Sequence, residues 1–323
     1  MVEIYATLGP ACASTETLCE MFDQGMTAVR LNLSHGNLPE SEPFLEQLRE
    51  AALCCGKQPG LVIDLQGPEL RIGALKKPLT LRTGERVSLD FIPASIRERI
   101  LPGQEILLDD GKLLLRAVES ERAEVLRGGV LRSQKSIALP GLAIRMPALT
   151  EADRQNIALA ARYGVTGVML PFVRGREDLE ELREALLAHD GEEIRILAKI
   201  ENLEGVEKLP EILPAADEIV IARGDLGNAV PLWELPRVQK HIAALCREQR
   251  KPFMVVTQML ASMEHNPVPT RAEVNDVFNA VLDGAASVML TGETAVGQYP
   301  VEAVTYFCRC VREAEKYGAD RLS

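Results

Sequence analysis

Two hydrophobic rhythms alternate along the chain. Short apolar runs, among them EIYATLG, TAVRLNLS, GLVIDL, VTGVMLPF, IRILAKIEN, ADEIVIARGD, PFMVVTQ and ASVMLTGE, end in polar or charged residues. Such continuous runs are the pattern of strands buried on both faces of a parallel sheet. Between them lie segments with apolar residues three and four positions apart, the mark of amphipathic helices. One carries Leu179, Leu182 and Leu186 on a single face; another carries Val274, Val277, Phe278 and Val281 and ends at Gly284. Ser14 or Thr15 caps a first helix that ends near Gly25, and a second runs from Pro43 to Gly56. Thr150, with Glu151 and Asp153 in the first turn, caps a helix that closes at Gly164. EGVEKLPEIL and WELPRVQKHIAALCREQ read as further helices, and a last one runs from Val301 to about Tyr317.

The rhythm breaks once. From about Ile72 to Arg145 the pieces PLTLRTGERVSLDF, QEILLDDGKLLLRAV, RAEVLRGGVL and KSIAL are β-like, with hairpin-type turns at Asp110-Gly111 and Arg127-Gly128-Gly129. The pattern predicts an α/β fold. Eight parallel strands with right-handed crossovers close into a (β/α)8 TIM barrel, and a small all-β domain is inserted after barrel strand 3. The barrel domain is discontinuous, 1–71 and 146–323, and the inserted β-barrel-like lid spans 72–145. An open doubly wound sheet is the competing architecture, disfavoured because no glycine-rich phosphate loop follows the first strand.

Composition narrows the function classes. The 323 residues are 46% hydrophobic and carry a net charge of −11 with no basic block, which argues against nucleic acid as the main partner. The start, MVEIYATLGP, lacks a signal-peptide pattern, and no apolar run approaches the ~18 residues of a membrane span. The expectation is a cytoplasmic protein without membrane attachment. Its seven cysteines, including adjacent Cys54-Cys55 and nearby Cys308 and Cys310, show no metal-ligand spacing and read as reduced thiols.

Barrel enzymes keep their chemistry at the C-terminal ends of the strands. The polar residues expected there are Asn32, Ser34, Asp64, Arg71, Lys199, Glu201, Asp225, Thr257, Thr291 and Glu293. Lys199 lies inside an apolar run, where an unpartnered ammonium is costly. Glu201 and Asp225 stand just past neighbouring runs and can bind a hard cation such as Mg²⁺ through oxygen. With the lysine beside them, the same point suits an anionic phosphate. The plainer reading is a Lys–Glu–Asp salt-bridge cluster at the barrel rim. Likewise His35 can cap a turn, Asn32 and Ser34 can be loop hydrogen-bonders, and Arg71 a surface ion pair. Trp233, Met259 and Met263 read as core packing.

The segments AVRLNLSHG, DLQGPELRIG, LPGLAIRMPALTEAD, AKIENLEG, IARGDLG, VTQMLASM, PTRAEVNDVFNAVLDGA and MLTGETAVGQYPVEAV resemble those of the pyruvate kinase family, in the family's order and from Ile4 to about Val304. The resemblance implies transfer of the phosphoryl group of phosphoenolpyruvate to ADP, giving pyruvate and ATP in glycolysis. It implies Glu201 and Asp225 as ligands of Mg²⁺ or Mn²⁺. Lys199 is implied to lie against the transferring phosphoryl group, Arg30 to hold the phosphate, and Thr257 to stand beside the substrate carboxylate and the enol carbon. The amides of Gly224 and Asp225 would cradle the carboxylate. Asn32, Ser34, Asp64 and the carbonyl of Leu65 match a K⁺ site, and Glu69 is the residue type of the K⁺-requiring branch. Asn32, His35, Arg71 and Lys135 match positions around the nucleotide phosphates.

The chain departs from the family at Gln66 and Val296, where lysines are common, at Pro171, which replaces a small residue, and at Arg145, which replaces an acidic one. Family members usually continue past the position of Ser323 into a domain that binds effectors and forms a subunit interface, so effector regulation is not carried over. A homodimer through barrel helices remains open. Two other functions fit the same residues: a Mg²⁺-dependent lyase working through a pyruvate enolate, and a non-catalytic phosphoenolpyruvate-binding protein.

Overall fold

The computed structural model describes residues 1–34, 36–68, 70–109, 111–142 and 146–320. The expectations that fall on His35, Glu69, Asp110 and Arg145 lie outside them. Among the described residues fifteen strands are formed. The first three are β1 (Glu3–Leu8), β2 (Ala28–Asn32) and β3 (Gly60–Asp64). Then come β4 (Leu79–Leu81), β5 (Arg86–Ser88), β6 (Glu105–Leu108), β7 (Leu113–Glu119), β8 (Arg122–Arg127), β9 (Gly129–Leu131) and β10 (Ile137–Ala138). The chain closes with β11 (Gly167–Leu170), β12 (Arg195–Ile200), β13 (Glu218–Ala222), β14 (Phe253–Val256) and β15 (Ser287–Leu290).

Strands β1, β2, β3 and β11 to β15 form a closed barrel in the order β1-β15-β14-β13-β12-β11-β3-β2, every neighbouring pair parallel. This is the (β/α)8 barrel that the apolar runs predict. Tyr5, Ala28, Val62, Met169, Leu197, Val220, Met254 and Met289, one from each strand, pack together in its interior. Around it the helices carry the expected caps. The Ser14 side chain accepts Thr17 N–H, and Thr150 and Asp153 form a reciprocal capping box. The helix Glu151–Ala160 runs on in turns to Gly164 at φ +74. There Val165 N–H reaches back to Ala160 O at 3.1 Å, the closure expected of glycine at that position.

Between β12 and β13 the structure forms two short helices, Leu203–Glu207 and Leu209–Ile212, where one was expected. Pro210 stands at the junction; it has no N–H to continue the first helix, and its ring would meet the carbonyl of Val206.

By residue contacts the chain forms two compact units: Met1–Gly67, Ala148–Arg223 and Glu234–Ser323, and Pro68–Pro147 with Gly224–Trp233. The second holds an antiparallel sheet in the order β10-β6-β7-β8-β5 and a separate β4-β9 pair, around a core that includes Leu89, Ile106, Leu115, Val125 and Leu131. The β6–β7 hairpin is formed as expected. Arg127-Gly128-Gly129 is not a hairpin: β9 leaves β8 and pairs with β4. Gly128 permits the crossing, because a Cβ there would lie 2.4 Å from the Leu81 carbonyl oxygen. Among the described residues no helix is long and apolar enough to cross a membrane.

Candidate active site

Side chains two apart on a strand share a face. The inner apolar layer contains Ala28, Val62 and Leu197, so Arg30 and Asn32, Asp64, and Lys199 with Glu201 point inward nearer the C-terminal ends of β2, β3 and β12. The chain thus changes from apolar to ionic up the inside of the barrel. Asp64 Oδ2 accepts Arg30 Nη2 at 2.6 Å and Nε at 3.1 Å. Lys199 Nζ lies 3.2 Å from Asp64 Oδ1 and 2.9 Å from Glu201 Oε1. The other Glu201 oxygen accepts Phe172 N–H at 2.8 Å, fixing an aromatic residue at φ +55. Arg30 Nη1 also reaches Thr7 Oγ1 at 3.4 Å.

Asp64 and Glu201 are 2% and 3% exposed, so each needs its cation. Burial alone would push the Lys199 ammonium down, but Asp64 and Glu201 outweigh it and hold the pKa well above the usual lysine value. Burial likewise opposes ionisation of Asp64, yet Lys199 and Arg30 keep its carboxyl below the usual range. Two cations and two carboxylates leave the cluster close to neutral. A phosphate dianion brought here alone would leave a buried excess of negative charge; a dication arriving with it restores neutrality.

The loops beside this cluster are held by buried carboxylates. Asn32 pairs in register with Asp64, and its Oδ1 accepts Ser34 N–H at 3.1 Å. Asp153, fully buried, accepts Gln66 N–H at 2.8 Å and Gly67 N–H at 3.1 Å while also closing the capping box on Thr150. Asn32, Ser34, Asp64 and Leu65 offer amide, hydroxyl, carboxylate and carbonyl oxygens at two adjacent strand ends, a donor set suited to a hard cation. Gly67 sits at φ +61, where a Cβ would come within 2.3 Å of Pro171. Pro171 therefore packs on the loop that carries Leu65.

Thr257 follows β14 at φ +79. Its carbonyl accepts Nε and Nη2 of Arg223 at 3.1 and 2.7 Å. Glu293, 1% exposed, accepts Leu260 N–H at 3.0 Å and Thr291 N–H at 2.7 Å, so it braces loops. Asp225 lies in the first turn of the helix Arg223–Ala229, and Gly224 and Asp225 fall in the second unit. Arg71 and Lys135 also belong to that unit: Arg71 bridges to Ser136 and donates to Gln134 O at 2.9 Å, and Lys135 pairs with Asp109 at 2.9 Å. Among the described residues no group of three or more His, Cys, Asp or Glu side chains stands ready to hold a metal ion. A dication held by one or two carboxylates plus substrate oxygens is the usual Mg²⁺ arrangement.

Trp233 is a correction. It is 83% exposed beside Leu232 at 72%, so it is no part of the core. It lies in the turn between the helices Arg223–Ala229 and Leu235–Glu248 and faces out. Met259 and Met263 are buried as expected. Two positions carry more than the sequence indicates: Arg223, inside the IARGDLG motif, holds the Thr257 carbonyl, and Asp153, expected only as a first-turn acid, also holds the Gln66 and Gly67 amides.

The chain matches the family model described as "Pyruvate kinase, barrel domain" over residues 1–304. It is 42% identical to a pyruvate kinase of Geobacillus stearothermophilus over 94% of this chain and 55% of that protein. It is 42% identical to one of Corynebacterium efficiens over 98% of this chain and 70% of that protein. A pyruvate kinase of Aeropyrum pernix is 39% identical over 98% of this chain and 71% of its own length. The chain thus spans between about half and about seven tenths of the length of these relatives. On this extent of match, and with the closed barrel in agreement, the chain belongs to the pyruvate kinase family.

Proposed function

We propose that the chain transfers the phosphoryl group of phosphoenolpyruvate to ADP, forming pyruvate and ATP as a glycolytic step in the cytoplasm. The observation that carries this reading is Lys199, buried in the barrel and held by Asp64 and Glu201 with Arg30 on the far side of Asp64. Phosphoryl transfer is catalysed mainly by positioning and by charge placed where charge develops. Arg30 binds the phosphate. Lys199, kept charged by its two carboxylates, faces the transferring group and the enolate oxygen left behind. Thr257 orders the water that delivers a proton to the enol carbon, and the Gly224 and Asp225 amides receive the substrate carboxylate.

Glu201 and Asp225, at the ends of neighbouring strands, are the proposed ligands of Mg²⁺ or Mn²⁺. Asn32, Ser34, Asp64 and Leu65 are the proposed K⁺ ligands. When bound, these cations neutralise the substrate, which carries roughly three negative charges, a phosphate of about −2 and a carboxylate. Asn32, His35, Arg71 and Lys135 are the proposed nucleotide contacts, with Lys135 supplied by the β lobe (72–145).

An assay with phosphoenolpyruvate, ADP, Mg²⁺ and K⁺, following ATP and pyruvate separately, tests the reading. Equal amounts of both products support it. Pyruvate from a larger keto acid without ADP supports a lyase, and binding without turnover supports a sensor.

A further inference from the structure

Thr257 has an unusual backbone. It sits at φ +79 and Gln258 follows at φ +54. For a β-branched residue the left-handed region is a real outlier, and it persists only where the surroundings over-determine it. Arg223 supplies that constraint. Two edges of its guanidinium are used at once. Nε and Nη2 converge on the Thr257 carbonyl at 3.1 and 2.7 Å, with Met259 Sδ 2.9 Å from Nη2. Nη1 donates to Asp276 Oδ2 at 2.6 Å, from the helix Arg271–Leu282. The Arg223 side chain is only 12% exposed. A guanidinium is planar with donors in fixed directions, so anchoring one edge on Asp276 fixes where the Thr257 carbonyl must point. The loop's other end is tied by Leu260 N–H to Glu293. Arg223 comes directly after β13, and β13 is the barrel neighbour of β14. The clasp therefore runs from one strand end to the next.

We propose that Arg223 is a positioning residue that acts through Thr257, holding the strained peptide so that the threonine hydroxyl faces the reacting centre, with Asp276 as its anchor. The assignment rests on the phosphoenolpyruvate reading of the site. It does not require Arg223 to touch substrate. Its loss then slows turnover and leaves substrate affinity nearly unchanged, and the loss disappears once the Thr257 hydroxyl is gone.

The test is a double-mutant cycle in the full chain. Arg223→Lys and Arg223→Met are each made alone and with Thr257→Ala, and kcat and KM for phosphoenolpyruvate are measured with saturating ADP, Mg²⁺ and K⁺. A lysine ammonium cannot span Asp276 and the carbonyl with two parallel bonds, so both variants lose the clasp. The expected result is a fall in kcat of about 10–100-fold, with KM within about twofold and less than about twofold further loss in the Thr257→Ala background. Penalties that multiply, or an unchanged kcat, overturn the assignment; if Arg223→Met does not fold, Arg223→Lys alone decides. A wild-type chain without turnover refutes the phosphoenolpyruvate reading instead. In that event a crystal structure of Arg223→Lys still tests the clasp: Thr257 at negative φ supports it, and Thr257 still near +79° overturns it.

Discussion

Lys199 Nζ lies 3.2 Å from Asp64 Oδ1, across a sequence separation of 135 residues. The lysine belongs to β12 and the aspartate ends β3, two strands separated in the barrel by β11. Barrel closure brings them together on the inside, and Arg30 on the other neighbour of β3 completes the contact. The energetic consequence is that Lys199 stabilises the fold as well as serving chemistry. Lys199→Met leaves Glu201 without its cation and Asp64 with Arg30 alone. Removing one partner of a buried pair costs about 3–5 kcal/mol. Urea unfolding is expected to show a loss of that size, partly recovered in Lys199→Met with Glu201→Gln. An unchanged midpoint would mean the pair is far more hydrated than its burial implies.

Asp153 makes a second prediction. Its carboxylate caps the helix Glu151–Ala160 and also binds the amides of Gln66 and Gly67. Asp153→Ala loses a cap, worth about 1 kcal/mol, and leaves two loop amides short of an acceptor. The expected result is a lower melting temperature together with a several-fold rise in the K⁺ concentration for half-maximal activity, because Leu65 is adjacent to that loop. A loss of stability with unchanged K⁺ response would confine Asp153 to a capping role.

Thiol reactivity gives a third. Burial pushes Cys246 up to about 12 and Cys308 up to about 11, whereas Cys54 is exposed. Only the thiolate reacts. A raised pKa keeps a thiol protonated until the pH approaches it, so at pH 8 the thiolate fraction of Cys246 is of order 10⁻⁴. With an aromatic disulfide reagent at pH 8, Cys54 is expected to react in the native protein, while Cys246 and Cys308 react only after unfolding. Peptide mapping of the labelled sites checks this. Early labelling of Cys246 would mean that the helix Leu235–Glu248 opens readily.

The barrel was legible because its physics is local: each strand buried on both faces writes a continuous apolar run, and each helix writes its caps. The need of Lys199 for partners was legible for the same reason, since an ammonium sits in such a run. That Asp64 is one partner was not, because the pairing depends on closure between non-sequential strands. The role of Arg223 is not written in IARGDLG; what makes it distinctive is the left-handed backbone of Thr257 it holds, and a threonine codes for no such conformation. Trp233 departs from its expectation because aromatic character favours burial only on average, while its own exposure is decided by a surface turn. The course of β9 depended on Gly128 passing close to β4, a contact between residues far apart in sequence, while the local glycine pair resembled a hairpin turn.

On the proposed function, the ionic interior around Lys199 accepts a phosphoryl donor and passes its phosphate to ADP. The most direct measurement is ATP formation from phosphoenolpyruvate and ADP with Mg²⁺ and K⁺, by the wild-type chain and by Lys199→Arg, in which a buried cation is retained. ATP and pyruvate are expected in equal amounts from the wild-type chain, with a loss of about a thousandfold or more in the variant, because an arginine fork cannot occupy the point where the ammonium meets the transferring group. No ATP from a folded wild-type chain, or a variant that keeps most of the activity, would contradict it.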